Sequence, residues 1–531
     1  MSNQTTAYLT RYYDEVPYDS HPFPQSAVEH LATRAFLFGL VAPDISGARV
    51  LELGCAGGGN LIPFASRYPG ASATGVDLSP VQIAQGRAAV ARAGLTNIDL
   101  CAMDMTGIDA SLGQFDYIIC HGVYSWVPGS VQEAILRICS ENLSPDGVAY
   151  VSYNVYPGWK AREIVRDAML LRGGPRETPE EKLSFGRGML EFLEQSSKPE
   201  SLLRKALEET MPIIRGGNPT YLLHEFFEPV NEPCYFKEFL SRAEGHGLTY
   251  LAESETSSMF VQNYQESVRE PLLQECGGSQ VLMEQYLDFL VNRTFRQTLL
   301  VKSAKADQIR YRLDPERLSA LHFAGAYAPV DGSALTLDDR EQLCSAPGNR
   351  SVTLRNPVHK AVASLLSVRF PATLEFEEIV SHAVEQIGEP PVTVRALALA
   401  MLEELVILGA IFSRRDKPDV AVDVSSHPRA LNATCEAFLA YPHGDRPTTA
   451  CNQWHEQATL SPLETFLLPL ADGSRSQHVL EAEVTTAART DLLRFSARGE
   501  PIEAKDVSVE YIHEEMMLAL SSLRRKGLLV T

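Results

Sequence analysis

The sequence predicts an α/β protein, with a doubly wound, mostly parallel sheet followed by an α-rich C-terminal region. Three observations carry this. Short apolar runs recur near 49–53, 72–77, 97–101, 115–120 and 147–153, with helical spacing between them. The first run opens into a glycine-rich turn, "LGCAGGGN", that leads straight into a helical stretch. From Arg350 onward two similar segments each read as three helices and a closing β-branched run.

Composition bounds the rest. A chain of 531 residues is expected to hold two to four domains, and 45% hydrophobic with 21% charged residues is ordinary for a soluble globular protein. No run of about 18 apolar residues occurs, so no membrane-inserted helix is expected, and the start "MSNQTTAYLT" lacks the features of a signal peptide. The nine cysteines are scattered, without CxxC or metal-ligand spacing, which fits a reduced, cytoplasmic protein with no bound metal. A net charge of −20 argues against nucleic-acid binding and leans toward a cationic substrate.

Arg49 to Leu53 reads as a buried strand, Gly54 to Gly59 as the glycine turn, and Asn60 to Tyr68 as a helix stopped by Pro69-Gly70. Glycines let backbone approach a ligand closely, and a helix start adds partial positive charge. The second strand ends at Asp77, and the next helix is capped by Ser79 with Pro80 at its first position. Asp77 stands nineteen residues after Gly58, about where a doubly wound fold sets an acid against ribose hydroxyls. A plain helix cap is the alternative. Leu78 and Gln82 accompany it, and Asp104 and Met105 follow the third strand beside an expected adenine pocket, with an ordinary strand-end aspartate as the alternative for Asp104. The fingerprint G-x-G-x-x-G is absent, because Ala56 replaces the second glycine. Glu52, two residues before the first glycine, would repel a pyrophosphate but suits a ligand carrying an ammonium and a sulfonium. The expected ligand is therefore S-adenosylmethionine rather than NAD, held by Glu52, Gly54, Cys55, Ala56, Gly57, Asn60 and the residues just named.

The fourth strand ends in rings, "FDYIICHGVYSWVPGS". In an open α/β sheet, ligands sit outside the carboxyl ends of the strands. His121 and Gly122 are expected at the ligand, and Tyr124 and Trp126 as walls of the acceptor channel. His121 has an alternative role in satisfying backbone groups. "SYNVYPGW" ends the fifth strand, and there Tyr153, Asn154 and Tyr156 are expected to orient the acceptor. Tyr13 and Tyr18, in "YYDEVPY", are expected to fold over the ligand, with a strap packed on the core as the alternative.

With "LELGCAGGGN", "GVDLSP", "DYIICHGVYSWVP", "VSYNVYPGW", "YDEVPYDSHPF", "NEPCYFKEFLSRAEGHGLTYLAE" and "YLDFLVNRTFRQTLL" assembled, the chain resembles bacterial class I methyltransferases that carry a methyltransferase regulatory domain. It is similar in particular to the rickettsial-type protein-lysine methyltransferases of outer-membrane proteins. The specific motifs span about residues 10–305. The resemblance implies a Rossmann-like, seven-stranded sheet and methyl transfer from S-adenosylmethionine to an amine, most concretely lysine side chains of a protein substrate met unfolded or before export. A small-molecule or peptide methyltransferase, and a cofactor-binding adaptor, are the alternatives.

The class I fold needs a final antiparallel hairpin, for which Leu248 to Ala252 and Arg296 to Val301 are available. The expected organisation is an N-terminal strap (1–47), a cofactor-binding core (48–173), a helical insertion and regulatory domain completing the sheet (174–305), a linker (306–349) and two winged-helix-like segments (350–418 and 419–531). The charged, amphipathic stretch 174–232 is either a substrate cradle or inert decoration. "SLRRKGLL" is the tightest basic cluster in the winged-helix segments, so protein docking or a homodimer, or simple structural support, is expected there instead of nucleic acid.

Overall fold

Five parallel strands lie where the apolar runs place them: β1 (Arg49–Leu53), β2 (Ser72–Asp77), β3 (Ile98–Ala102), β4 (Phe115–Cys120) and β5 (Leu143–Asn154). The computed structural model describes residues 20–431, 447–497, 500–502 and 507–531. The two late segments also join the sheet, as β6 (Leu248–Glu253) and β7 (Phe295–Lys302), giving the order β3-β2-β1-β4-β5-β7-β6. β7 is antiparallel to both its neighbours, but it forms no tight hairpin with β6. Helices Glu266–Cys276 and Gln280–Leu290 lie between the two strands. β1 and β4 are buried almost throughout, as parallel strands covered on both faces must be.

β7 carries the largest buried charge cluster of the sheet. Arg296 is fully buried, and its guanidinium forks onto Asp288 (2.8 and 2.9 Å). It also donates to Glu284 at 3.0 Å and Glu253 at 2.8 Å, and its face lies 3.6 Å from the Phe236 ring centre. Burial pushes the Glu284 carboxyl upward, and Tyr250 donates to it at 2.7 Å. One cation thus ties β6, β7 and the Gln280–Leu290 helix together.

The 174–232 insertion is helical: Pro179–Ser196, closed by a capping box from Thr178 to Glu181, then Leu202–Gly216 and Pro219–Phe227. With helix Trp159–Gly173 these close a small separate core around Met169, Leu190, Leu207 and Phe226.

The linker expected over 306–349 is instead folded. It contains β8 (His322–Ala324), β9 (Ala328–Pro329) and β10 (Gln342–Ala346), which pairs with β11 (Arg350–Leu354). β8 is the central strand between β12 (Leu374–Glu375) and β13 (Phe412–Arg414) of the first winged-helix segment. Such strands are too short to show a period, and the Gly, Pro and Asp between them resemble a linker. Helices Pro357–Arg369, Phe376–Ile387 and Pro391–Leu408 complete that segment, and its apolar core is continuous with that of the large sheet.

The second segment has its own core, built by helices Pro462–Leu467, Gln477–Arg489 and Val509–Arg525 and a closing strand, Leu529–Val530, that pairs with β14 (Arg429–Ala430). Its basic cluster is largely turned inward. Arg524 donates to the Val422 carbonyl at 2.9 Å, and Lys526 pairs with Glu464 at 2.7 Å. Among the described residues no helix is long and apolar enough to cross a membrane.

Arg296→Ala would strand three buried carboxylates. It is expected to lower the unfolding free energy by about 3–5 kcal/mol, read from denaturant melts; a loss below about 1 kcal/mol would refute the role given to this cluster.

Candidate active site

Outside the carboxyl ends of β1, β2, β4 and β5 lies a cleft of about 550 Å³. Its floor begins with the glycine turn. Gly54 sits at φ +76°, and a Cβ there would meet Val123 Cγ2 at 2.4 Å. At Gly59 a Cβ would meet the backbone of Ser20 at 2.5 Å, so the N-terminal segment is packed directly on the turn. Ala56, the departure from the usual glycine, also takes a positive φ of 49°, and its N–H donates to Asp77 Oδ2 at 2.8 Å. Asp77 Oδ1 accepts from Ser79 N at 2.9 Å, so this carboxylate anchors both the loop and the next helix. The Ser79 cap and Pro80 start are present as expected, with Ser79 Oγ accepting from Gln82 N.

Glu52 and Asn60 form the cleft's inner end. Asn60 Nδ2 donates to Glu52 Oε1 at 2.9 Å. Glu52 Oε2 is buried and meets no protein donor among the described residues. Burial, with the Asp77 charge nearby, pushes the Glu52 carboxyl up to about 8. A ligand ammonium would supply the missing partner. The donor set therefore fits the zwitterionic, cationic end of S-adenosylmethionine.

Leu78, Gln82, Asp104 and Met105 line one side with Cys55. Asp104 also caps a short turn, accepting from Thr106 N at 2.9 Å. At the end of β4, His121 and Gly122 face the cleft. His121 Nδ1 lies 2.8 Å from Tyr150 Oη, and Phe23 packs on the ring with centroids 4.0 Å apart. Burial, and then His21, press the imidazole down to about 4, so it is neutral at physiological pH. Trp126 and Asn154 also line the cleft, and Trp126 stands edge-on to Trp159 at 5.9 Å.

Four expected residues are not brought to the cleft. Tyr153 points to the opposite face of β5 from Ser152 and Asn154, because side chains alternate along a strand. There it stacks on Phe239 at 4.0 Å and shares a hydrogen bond of 3.0 Å with Thr298. Tyr124 joins the same inner cluster, edge-on to Phe239 at 5.2 Å. Both are core residues, which corrects the acceptor and wall roles expected of them. Tyr156 donates to Glu163 at 2.7 Å beside Tyr235, outside the cleft. Gly57 packs beneath the Pro80–Ala93 helix at Gly86 and does not line the cleft. Tyr13 and Tyr18 lie outside the described residues.

The cleft also holds residues that sequence reasoning missed. Ser20, His21 and Phe23 come from the N-terminal segment, while Thr294 and Phe295 come from the entry into β7. Trp159 and Arg162 come from the helix after β5, and Tyr221, His224 and Glu225 from the insertion. Arg162 pairs with Glu225 at 3.0 Å, which neutralises that wall. Trp159 stood within the quoted "VSYNVYPGW"; nothing local marks Tyr221 or Glu225, whose helix reads only as amphipathic.

Comparison with known proteins agrees with this architecture. Residues 50–147 match a family model described as a methyltransferase domain, 218–302 a predicted methyltransferase regulatory domain, and 439–528 a PKMT C-terminal winged helix domain. An uncharacterized protein of Rickettsia prowazekii is 33% identical over 507 residues, covering 93% of this chain and 89% of its own. The solved structure of PKMT2 from Rickettsia typhi superposes with a TM-score of 0.87 at 25% identity, covering 97% of this chain and 100% of that one. The same protein in complex with AdoHcy gives 0.85 at 26%, with the same coverage. With fold, cleft and full-length relatives in agreement, the chain belongs to the family of rickettsial-type class I methyltransferases with a regulatory and a winged-helix domain, enzymes dependent on S-adenosylmethionine.

Proposed function

We propose that this methyltransferase modifies lysine amines of a protein substrate of the outer-membrane kind, received as unfolded or extended chain. One observation supports the reading above others. An aromatic corner, Trp126 against Trp159, stands with Asn154 at the end of β5, two strands along the sheet from Glu52. Full-length likeness to PKMT2 is consistent with it.

In this reading Glu52 takes the cofactor's ammonium, Asp77 its ribose hydroxyls, and Met105 with Leu78 flank its adenine. When bound, the cofactor supplies a methyl group on a sulfonium, an electrophile for a neutral amine. A lysine amine with an ordinary pKa of about 10.4 costs about 4 kcal/mol to deprotonate at pH 7.4. Burial beside Trp126 and Trp159 lowers that cost by disfavouring the ammonium. The Arg162 guanidinium already lies 5.3 Å over the Trp159 ring centre, so Trp126 is the ring left to hold a cationic product by cation–π attraction. Asn154 Nδ2 is engaged by Asn231 at 3.3 Å, so Oδ1 is the atom that orients the incoming amine. His121, neutral and backed by Tyr150, packs the Phe23 segment over the site and transfers no proton in this scheme.

A second reading, a small-molecule acceptor, draws on the insertion helix Pro219–Phe227, whose Tyr221, His224 and Glu225 wall the cleft. Incubating the enzyme with labelled cofactor and a lysate, then separating protein from metabolites, decides between them. Label on lysines of protein is expected; label confined to the small-molecule fraction would overturn the protein reading.

Three further outcomes follow from the site. With Glu52 near about 8, the carboxyl is protonated at pH 7 before binding and ionised after it. Calorimetry in buffers of differing ionisation enthalpy is therefore expected to read close to one proton released. Affinity should rise by at most about tenfold per unit as pH approaches 8. Glu52→Gln should abolish the release and weaken binding; an unchanged release would refute the assignment. Asn154→Ala is expected to cut turnover about 100-fold while leaving the cofactor Kd within about threefold. Tyr153→Phe should cost about 1 kcal/mol of stability with turnover nearly intact, and a large loss of turnover would return Tyr153 to the acceptor site.

A further inference from the structure

The C-terminal winged-helix segment reaches the glycine turn through a hairpin, β15 (Thr449–Cys451) and β16 (Gln457–Thr459). Its tip carries His455, buried and at φ +62°, in the left-handed region that favours glycine. The tip is built to hold that conformation. Asn452 Oδ1 accepts from Trp454 N at 2.9 Å and Glu456 N at 2.8 Å, and Gln453 N donates to the Gly527 carbonyl at 3.1 Å. Trp454 Nε1 donates to the Pro371 carbonyl at 2.9 Å, pinning the hairpin to the first winged-helix segment. Such a conformation is uncommon outside glycine, and these bonds hold the loop in it.

The contacts of His455 define it fully. Nδ1 lies 2.8 Å from an Arg67 nitrogen, which can only donate, so Nδ1 accepts and the ring proton is on Nε2. Nε2 then donates to Asn60 Oδ1 at 2.8 Å. Arg67 is itself held by Glu29 at 2.9 Å. Arg414 is the other cation near the ring, and burial together with Arg67 holds the imidazole down to about 3, in its neutral form. Asn60 Oδ1 also accepts from Phe23 N at 3.0 Å, and Asn60 Nδ2 donates to Ser26 Oγ at 3.1 Å and to Glu52 Oε1 at 2.9 Å. Every hydrogen-bonding position of the Asn60 amide is used, and an inverted amide would turn its NH2 onto the Phe23 N–H and the His455 Nε2–H, two donors.

We propose that His455 is a positioning residue for the cofactor: its Nε2–H sets the direction of the Asn60 amide and, through it, the placement of Glu52 and of the Phe23 segment at the cleft. The inference deepens the reading of Glu52 given above and rests on it. The winged-helix domain is then part of the cofactor site's support, from a place 395 residues distant in the chain.

The test is calorimetric titration of the full-length chain with S-adenosylhomocysteine. His455→Ala is expected to weaken binding about tenfold, and His455→Gln, which restores an N–H donor at that reach, to recover it to within about threefold. His455→Leu, which keeps volume without a donor, replaces the alanine variant if that one does not fold. In an Asn60→Ala background the loss on removing His455 should shrink below about twofold. Unchanged affinity in folded His455→Ala, or a loss that persists undiminished without Asn60, overturns the proposal. Glu52→Gln run alongside separates the two readings. If it leaves affinity intact, the Glu52 assignment falls; if it weakens binding while His455→Ala does not, only the positioning role falls.

Discussion

The side-chain amide of Asn60 is the constraint on which the cleft depends. It stands at the start of the Leu61–Arg67 helix and receives bonds from the N-terminal segment and the C-terminal hairpin while giving one to Glu52. A primary amide has two donors and one oxygen with two lone pairs. With all four positions engaged it has one orientation, and the glycine turn cannot shift without breaking contacts to three separate parts of the chain.

Buried charge in this protein falls into two kinds. Arg296 among Glu253, Glu284 and Asp288, and Arg67 on Glu29, are compensated clusters whose every cation faces carboxylate. They lock strands and helices together, and their loss would expose an uncancelled charge in a low-dielectric interior. Glu52 is of the other kind: among the described residues no cation faces it, and burial raises its carboxyl toward neutrality, whereas Glu29, which also keeps one buried oxygen without a donor, is held low by Arg67. A fold tolerates such a group where a ligand completes it, and this distinguishes the chemistry of the cleft from the electrostatics that holds the sheet.

The pleat of β5 divides what looked like one ring cluster. Tyr150, Ser152 and Asn154 share the face toward His121 and the cleft, whereas Tyr153 turns to Phe239 and Tyr124 on the other. The cleft keeps Trp126 and gains Trp159 as its aromatic pair. The rings and amides of two short segments, 121–126 and 150–159, were legible in the sequence, but which of them shared a surface depended on strand parity and on where the strand ended.

The sequence by itself determined what depends on neighbours along the chain: the five parallel strands and their ends, the glycine turn, the acids at Glu52 and Asp77, the Ser79 cap, and the helical period of the insertion. These follow from periodicity and short-range sterics. Tertiary structure alone decided the rest. It folded the 306–349 stretch around β8, whose partners come from strands 50 to 90 residues later, and it brought Tyr221 and Glu225 over the cleft. It also set His455 on Asn60 and gathered three carboxylates on Arg296. Such contacts join residues with no regular spacing, so their positions are set by how whole elements pack and not by any pattern a local window contains.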